Sequence, residues 1–407
     1  PSACTTRGKK RRLATHNLPC PARLATTNDA PMPIPQSLYI HIPWCVRKCP
    51  YCDFNSHALR GAIDEAGYVR HLLADLAHDL DPRPIETIFI GGGTPSLFSA
   101  AAIAALLDGI NRLTPLPDDC EITLEANPGT FDHDKFQGFR SAGINRLSIG
   151  VQSFNDAHLA AIGRIHNAAE AHAAIAAAVQ IFERVNIDLM YALPPQPADE
   201  AQADAQAAIA HGTSHISAYH LTLEPNTPFG HTPPQGIPDS ESAQDIEDAV
   251  HAALAAAGYA QYETSAFATA PSQRARHNLN YWQFGDYIGI GAGAHGKISY
   301  HSHIERTSRS RHPSEYLAAM QTQPENAIRR TPIAAQDLAG EFMMNALRLT
   351  DGVPSAFLPE RTGINAAQIS RAIQTAQQKG LLDGNPLYFR PTPLGQRFLN
   401  DLIGLFL

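Results

Sequence analysis

Between residues 38 and 222 the chain alternates short β-rich segments with longer segments of helical apolar spacing. Such alternation is typical of βα units, which form a parallel sheet covered by helices. The β-rich segments are LYIHIP (38–43), ETIFIGG (86–92), EITLEAN (121–127), RLSIGVQS (146–153), RVNIDLM (184–190) and HISAYHLT (215–222). The first helical segment is marked by apolar residues four positions apart, at Tyr68, Leu72, Leu76 and Leu80. The other helical segments are residues 100–113, 157–182 and 198–211. Six units in series predict an α/β fold, an incomplete (β/α)6 barrel whose site lies at the carboxyl ends of the strands.

The remainder of the chain differs in texture. A Pro/Gly-rich loop and a helix near 240–257 follow residue 222, so we assign 32–222 to the partial barrel and 223–312 to an extension of it. Residues 313–407 contain helical patterns at 335–348, 366–379 and 394–406 and a hairpin signal, LLDGNPLYF. This combination predicts a C-terminal α+β domain similar to a winged helix. Its eight basic residues balance eight acidic ones, which argues against nucleic acid as a ligand.

Residues 1–31 carry six basic residues and one acidic residue, in a chain of net charge −8. The segment lacks apolar periodicity, so we predict a disordered basic extension ahead of Met32; a transit peptide is the alternative. Half of the six cysteines fall in one cluster, unlike the even spread of a disulfide framework. We therefore expect a cytoplasmic protein.

That cluster is Cys45, Cys49 and Cys52, and it directly follows the first predicted strand. Closely spaced thiolates suit zinc or an iron–sulfur cluster. Zinc would require a fourth ligand, for which His41 or His57 is available. A 4Fe-4S cluster on three cysteines leaves one iron open to a small molecule, and unliganded cysteines are a third interpretation.

The motifs that follow along the chain resemble one known set. CVRKCPYC (45–52) is followed by GGGTP (91–95), LEANP (124–128), GVQSF (150–154), IGRIH (162–166) and NIDLM (186–190), each at or just after a predicted strand. In this order they resemble the radical S-adenosylmethionine (SAM) superfamily, and within it the oxygen-independent coproporphyrinogen III oxidase-like family. The resemblance implies a 4Fe-4S cluster on the three cysteines and SAM on its open iron.

The resemblance also implies which residues contact SAM. They are Tyr39, Tyr51, Gly92, Gly93, Thr94, Glu125, Gln152, Arg164 and Asp188. Read from the residues alone, the glycines are also what a tight strand-to-helix turn requires, and each polar side chain also fits a core hydrogen bond or salt bridge. One departure concerns the loop YALPPQ, where Ala192 and Pro195 stand at positions that are usually glycine in the family.

Two features favour one branch of that family. The oxidases resemble CxxxCxxCxC, but the last position here is Phe54. HNLNYW (277–282) is similar to the HNxxYW motif of the haem chaperone branch, which implies haem contacts by His277, Tyr281 and Trp282. A buried polar–aromatic cluster is the alternative interpretation of that motif.

We therefore expect a haem chaperone that carries a 4Fe-4S cluster and SAM, with coproporphyrinogen III oxidation as the alternative. Its expected partners are a haem-accepting protein, with a membrane-associated respiratory protein as one candidate, and a reductant for the cluster. GIGAGAHG (289–296) matches GxGxxG, but KISYHSHI follows it instead of a helix, so we expect no dinucleotide site there.

Overall fold

The computed structural model describes residues 31–407, and its main feature is one mixed sheet of twelve strands. The strands are β1 (Gln36–Ile42), β2 (Ile85–Gly92), β3 (Glu121–Ala126), β4 (Arg146–Gln152), β5 (Arg184–Tyr191), β6 (His215–His220), β7 (Ala260–Gln261), β8 (Ala266–Ala268), β9 (Asp286–Ile290), β10 (His295–Ser299), β11 (Ile304–Arg309) and β12 (Ile328–Pro332). Their order is β12-β11-β10-β9-β1-β2-β3-β4-β5-β6-β8-β7. The α/β fold expected from the alternating pattern is confirmed.

Strands β1 to β6 are the six predicted strands, and all of them are parallel. The sequence did not reveal β9, which pairs in parallel with the free side of β1, so that Gln36 lies beside Asp286. Antiparallel strands then extend the sheet at both ends, β8 and β7 beyond β6, and β10 to β12 beyond β9. Polar groups at the carboxyl ends of the parallel strands therefore meet along one edge.

Helices cover this sheet and form most of the C-terminal region. They are α1 (Glu65–Asp79), α2 (Ala100–Leu113), α3 (His133–Ser141), α4 (Asp156–Ala161), α5 (Ala168–Ile181), α6 (Ala198–Ala210), α7 (Pro228–His231), α8 (Ser240–Ala256), α9 (Arg276–Trp282), α10 (Pro313–Thr322), α11 (Leu338–Ala346), α12 (Phe357–Thr362), α13 (Ser370–Gln378), α14 (Pro393–Arg397) and α15 (Leu399–Gly404). Short 3-10 turns lie at Pro95–Leu97, Pro128–Thr130, Pro271–Gln273, Pro324–Ala327 and Ala366–Ile369. In α1, Tyr68, Leu72 and Leu76 are buried against the sheet, as their spacing predicts.

The single helix predicted over 157–182 is wrong, because two helices occupy this stretch. Gly163, between α4 and α5, has a left-handed φ of +73°, which interrupts the helical ladder. A capping box then starts α5: the Asn167 side chain accepts from the Glu170 backbone, and the Glu170 carboxylate accepts from the Asn167 backbone. The break puts Arg164 in a loop beside the edge of the sheet instead of on a helix.

The C-terminal region has its own core, which includes Phe342, Leu358, Phe389 and Leu402. The hairpin predicted at LLDGNPLYF is wider than expected: Leu382 forms an isolated antiparallel bridge to Pro391, and the Asp383 amide donates to the Arg390 carbonyl at 2.9 Å. Tyr388–Phe389 pairs instead with Val353–Pro354. The helix predicted over 394–406 is two short helices, since Phe398 leaves helical geometry with a ψ of 45°.

The division of the chain into segments stays a prediction. Tyr316 and Met320 of α10 belong to the core of the large sheet, and β12 pairs with β11. These contacts favour a boundary near residue 333 over the predicted boundary at 313. The extension predicted over 1–31 lies outside the described residues except for Pro31, which bridges to Tyr300. Within residues 31–407, none of the helices is long and apolar enough to cross a membrane.

Candidate functional site

The three clustered cysteines lie in one loop at the carboxyl end of β1. We call residues 45–56 the cysteine loop. Its two ends are joined because Trp44–Cys45 pairs with His57–Ala58. Thr94 also donates its backbone N–H to the Trp44 carbonyl at 2.8 Å, which attaches the loop to the glycine-rich turn after β2. Cys45, Cys49 and Cys52 are half-buried and not disulfide-bonded.

A cavity of about 370 Å³, the mouth cavity, opens between this loop and the strand ends. Eight of the nine residues assigned to SAM line it together with all three thiols: Tyr51, Gly92, Gly93, Thr94, Glu125, Gln152, Arg164 and Asp188. The ninth, Tyr39, does not. Its hydroxyl is bonded to Nδ1 of His41 at 2.9 Å, and the residue lines a second cavity.

The glycine-rich turn has a backbone geometry that leaves no room for a side chain at Gly92. Gly92 has a φ of +112°, and a Cβ there would lie 2.5 Å from the His41 ring. The amides of Gly92, Gly93 and Thr94 donate to Glu125, Ile42 and Trp44, at 3.1, 2.7 and 2.8 Å. These N–H groups are therefore bonded inside the protein, and the Thr94 carbonyl accepts from the Leu97 amide at 3.0 Å, so the carbonyls of Gly92 and Gly93 are the backbone groups of the turn that a ligand could use. Carbonyl oxygens are what an amino group requires.

Four carboxylates line the cavity, and two of them, Glu125 and Asp188, lie on strands β3 and β5 of the sheet. The pKa of Glu125 is raised to about 8. Burial is the largest cause, the nearby charge of Asp188 adds to it, and the hydrogen bond from the Gly92 amide opposes both. Burial also raises the pKa of Asp188, which accepts from Ser148 Oγ at 2.9 Å and from Asn186 Nδ2 at 2.8 Å. Such a pair is stabilised when a ligand supplies donors or positive charge.

Two arginines line the cavity, and Arg164 is the less exposed of them, since Arg47 is exposed. One Nη of Arg164 donates to the carbonyl of Gly150 at 2.5 Å, and the other lies 3.8 Å from the Cys49 sulfur. Its Nε is buried and has no hydrogen-bond partner among the described residues. A buried donor without a partner costs free energy, so this guanidinium fits an anionic ligand group.

Two non-glycine residues at the strand ends adopt left-handed backbone conformations. Gln152 at the end of β4 has a φ of +73°, and Ala192 just after β5 has a φ of +57°. Such conformations are strained in residues with a Cβ and are frequent at functional sites. A positive φ at Ala192 is a conformation that glycine adopts without strain, which accounts for a glycine at this position in the resembling family.

The donor set fits a cubane cluster and SAM better than it fits zinc. Both ring nitrogens of His41 are bonded within the protein, to the Tyr39 hydroxyl and to the Asn55 carbonyl, each at 2.9 Å. Over the described part of the chain, no group of three or more His, Cys, Asp or Glu side chains is placed to hold one metal ion. The thiols instead line a cavity that also offers carbonyls, carboxylates and a guanidinium, which match the amino, ribose and carboxylate groups of SAM.

The structure adds residues that the sequence did not single out. Tyr219 and His220 at the end of β6, and Glu224 after it, line the mouth cavity. The rule that sites lie at the carboxyl ends of strands would have found them, since HISAYHLT was a predicted strand. The family motifs gave no reason to select them.

The haem candidates of the HNLNYW motif lie in two different environments. His277 is only 2% exposed, with Nδ1 bonded to Thr87 Oγ1 at 2.7 Å and Nε2 to the Tyr281 hydroxyl at 3.0 Å. Burial lowers the pKa of His277 to about 3. The structure therefore does not present this imidazole to a ligand, and the buried polar–aromatic cluster is the better interpretation of it.

Tyr281 and Trp282 line a second cavity of about 890 Å³, the sheet cavity. It lies against one face of the antiparallel strands β10 and β11. Asp53 and Phe54 of the cysteine loop line both cavities. Phe54 is 62% exposed, so an apolar ring stands between the cluster position and the larger cavity.

Family models match two parts of the chain. Residues 39–208 match the radical SAM superfamily model, and residues 333–398 match the model of the HemN C-terminal domain. The chain is 47% identical over 382 residues to a protein of Haemophilus influenzae named "Heme chaperone HemW", covering 92% of this chain and 98% of that one. The protein of the same name in Escherichia coli is also 47% identical, with the same coverage.

A solved structure supports the fold. The coproporphyrinogen III oxidase HemN of Escherichia coli, described as a radical SAM enzyme, superposes with a TM-score of 0.78. The two chains are 21% identical, and the match covers 92% of this chain and 90% of the other. At this identity the likeness concerns the fold alone.

Proposed function

We propose that this protein, which belongs to the radical SAM superfamily and within it to the family of the HemW relatives, is a haem chaperone. It binds haem and transfers it to an acceptor protein. The observation that carries the proposal is the 47% identity to proteins named as heme chaperones, over 98% of their length. Phe54 also supports the chaperone assignment, because the coproporphyrinogen III oxidases that this sequence resembles have a cysteine at that position.

The radical SAM fold implies a 4Fe-4S cluster and SAM, and the mouth cavity has residues suited to both. We assign the cluster to Cys45, Cys49 and Cys52. When bound, it supplies an electron and an open iron for SAM. The carbonyls of Gly92 and Gly93 would accept from the SAM amino group, while Arg164 would hold its carboxylate and Glu125 its ribose hydroxyls. Gln152, Asp188 and Tyr51 complete the wall, and Tyr39 acts only through His41.

Haem is the cargo in this account. A haem-accepting partner, a reductant for the cluster and a cytoplasmic location go with the proposal. Tyr281 and Trp282 are the motif residues that line a cavity and so are suited to contact a porphyrin. We withdraw His277 as an iron ligand and assign it the role of holding Tyr281 through the 3.0 Å hydrogen bond.

The proposal is tested by titrating the anaerobically reconstituted protein with haem and following the Soret band. We expect saturable binding of one haem per chain. A protein without a haem site, such as hen lysozyme, serves as the reference for non-specific association. Absence of a saturable Soret change would overturn the chaperone assignment and leave the oxidase as the remaining candidate.

The oxidase is a second candidate because of the HemN-like fold. It requires coproporphyrinogen III, rather than haem, to be the molecule that the protein recognises. The two candidates therefore differ in ligand and in turnover, and both differences are measurable on the same preparation.

A further inference from the structure

The sheet cavity contains a histidine that neither the family motifs nor the HNLNYW motif designates. We propose that this cavity is the haem site, that His295 is an axial ligand of the haem iron, and that Arg311 and Arg329 hold the haem carboxylates. This inference rests on the proposed function and deepens it by naming the site.

The dimensions and surface of the cavity suit a flat, anionic tetrapyrrole. Its volume of about 890 Å³ is within the range of roughly 300–1,000 Å³ typical of small-molecule and cofactor sites. Its lining combines aromatic side chains, among them Phe54, Tyr281 and Trp282, with several basic side chains. Aromatic rings and cations are the groups that contact the plane and the two carboxylates of a porphyrin.

His295 opens strand β10 and projects into this cavity. It pairs with Ser308, and both residues line the cavity, as do the paired Lys297 and Arg306 further along the same strands. Residues directly opposite in an antiparallel pair share a face, so these four side chains form one patch. The imidazole of His295 is exposed and has no hydrogen-bond or ion-pair partner among residues 31–407. His277, by contrast, has both ring nitrogens bonded.

The neutral imidazole is the form that binds iron. Partial burial and the neighbouring guanidinium groups, with Arg306 first among them, lower the pKa of His295.

The glycine motif before His295 explains why this histidine lies next to the cysteine loop. Gly291 and Gly293 have φ of +98° and +80°, and a Cβ on Gly293 would lie 2.1 Å from the Asn55 side chain. Asn55 Nδ2 donates to the carbonyls of Ala292 and Arg311, at 2.9 and 2.8 Å. The turn in GIGAGAHG therefore holds the cysteine loop, which contains Phe54, next to strand β10, which begins with His295.

Two of the five basic side chains that line the cavity are available to an anionic ligand. Lys297 is bonded to Asp286 at 2.7 Å, Arg309 to Asp75 at 2.9 Å, and Arg306 to Glu341. Arg311 and Arg329 are exposed and have no carboxylate partner within the described part of the chain. A haem has two carboxylates, so two unpaired guanidinium groups match its charge, and each offers bidentate geometry.

The test is a haem titration of the reconstituted full-length protein and its variants, with resonance Raman and electron paramagnetic resonance spectra as the readout. His295→Ala should lose the histidine signature and bind haem about tenfold or more weakly, and added imidazole should restore the signature. His295→Met should shift the spectrum toward that of a thioether ligand, which a purely structural role would not produce. His301→Ala, an exposed histidine in the turn between β10 and β11, is the matched control and should behave as wild type.

The carboxylate contacts are tested with haem dimethyl ester, which lacks the charges. Wild type should bind the ester more weakly than haem, whereas the double variant Arg311→Gln/Arg329→Gln should bind both equally. If wild type fails to bind haem at all, the proposed function falls and this site with it. If wild type binds haem and His295→Ala retains both affinity and spectrum, the chaperone function stands and the site assigned here is refuted.

Discussion

Glu125→Gln should stabilise the cofactor-free protein while it weakens SAM binding. Glu125 is held close to Asp188 inside the mouth cavity, and burial is the main cause that raises its pKa to about 8, from an ordinary value of 4.5. Glutamine keeps an oxygen that can accept from the Gly92 amide, at present 3.1 Å from the carboxylate. It removes the charge that the folded chain disfavours and leaves one acceptor oxygen for the two ribose hydroxyls.

The magnitude follows from the difference between the folded and unfolded pKa. An acid with a higher pKa in the folded state binds a proton more readily there, so folding loses free energy as the pH rises above 4.5. The loss grows by about 1.36 kcal/mol per pH unit and levels off above the folded pKa of about 8. Wild type should therefore carry a penalty of about 2 kcal/mol at pH 6 and about 4 kcal/mol at pH 8, and the variant should carry none.

Urea denaturation of wild type and variant at both pH values measures this difference. The two tryptophans, Trp44 and Trp282, report on the two sides of the fold. The stability advantage of Glu125→Gln should increase by about 2 kcal/mol from pH 6 to pH 8. Glu183→Gln, an exposed carboxylate, is the control and should show no such trend. An advantage that does not change with pH would refute the raised pKa and the electrostatic account of the cavity.

Three further predictions concern the cluster, the glycine turn and the haem motif. Replacing any of the three loop cysteines by serine should abolish the iron–sulfur absorbance after reconstitution, whereas Cys120→Ser, outside the loop, should retain it. Gly92→Ala should abolish SAM binding in equilibrium dialysis, because its Cβ would meet the His41 ring at 2.5 Å; Gly212→Ala, also left-handed but with open space, should bind SAM normally. His277→Ala should lower the free energy of unfolding by about 2–4 kcal/mol in urea, because it opens a buried cavity and removes the hydrogen-bond partner of the Tyr281 hydroxyl, whereas Thr87 keeps its bond to Ser37; the variant should keep the histidine signature of bound haem. The cluster prediction fails if Cys120→Ser is the only variant that loses the absorbance. The prediction for the glycine turn fails if Gly92→Ala and Gly212→Ala bind SAM equally well. The prediction for the haem motif fails if His277→Ala loses the histidine signature of bound haem.

Much of the fold was predictable because its strands and helices follow local periodicity. The six parallel strands agree with their predicted segments to within two residues at each end. Strand β9 was not predictable, because its parallel pairing with β1 joins residues about 250 positions apart and no local pattern reports that contact. The break between α4 and α5 was visible in hindsight as Gly163 followed by an Asn-x-x-Glu capping box.

The convergence of the SAM candidates at one edge of the sheet was predictable from the sequence, whereas their contacts with SAM stay a prediction. Eight of the nine SAM candidates converge there because parallel strands end together. Tyr39 lies on the same face of the sheet as Glu125, because it pairs with Phe89 and Phe89 pairs with Thr123. It lies outside the mouth cavity because it comes before the end of β1, and its hydroxyl is bonded to His41. The environment of His277 was not predictable, because the sequence gives a histidine and not its partners, and the bonds from Thr87 and Tyr281 to its ring are visible only in the structure.

The central claim is that the chain handles haem and does not oxidise its precursor. The most direct measurement is anaerobic incubation of the cluster-reconstituted protein with coproporphyrinogen III, SAM and a reductant, with HemN of Escherichia coli as the positive control. The account predicts no protoporphyrinogen above the level without protein, from a preparation that binds haem. Formation of protoporphyrinogen at a rate comparable to the control would contradict it.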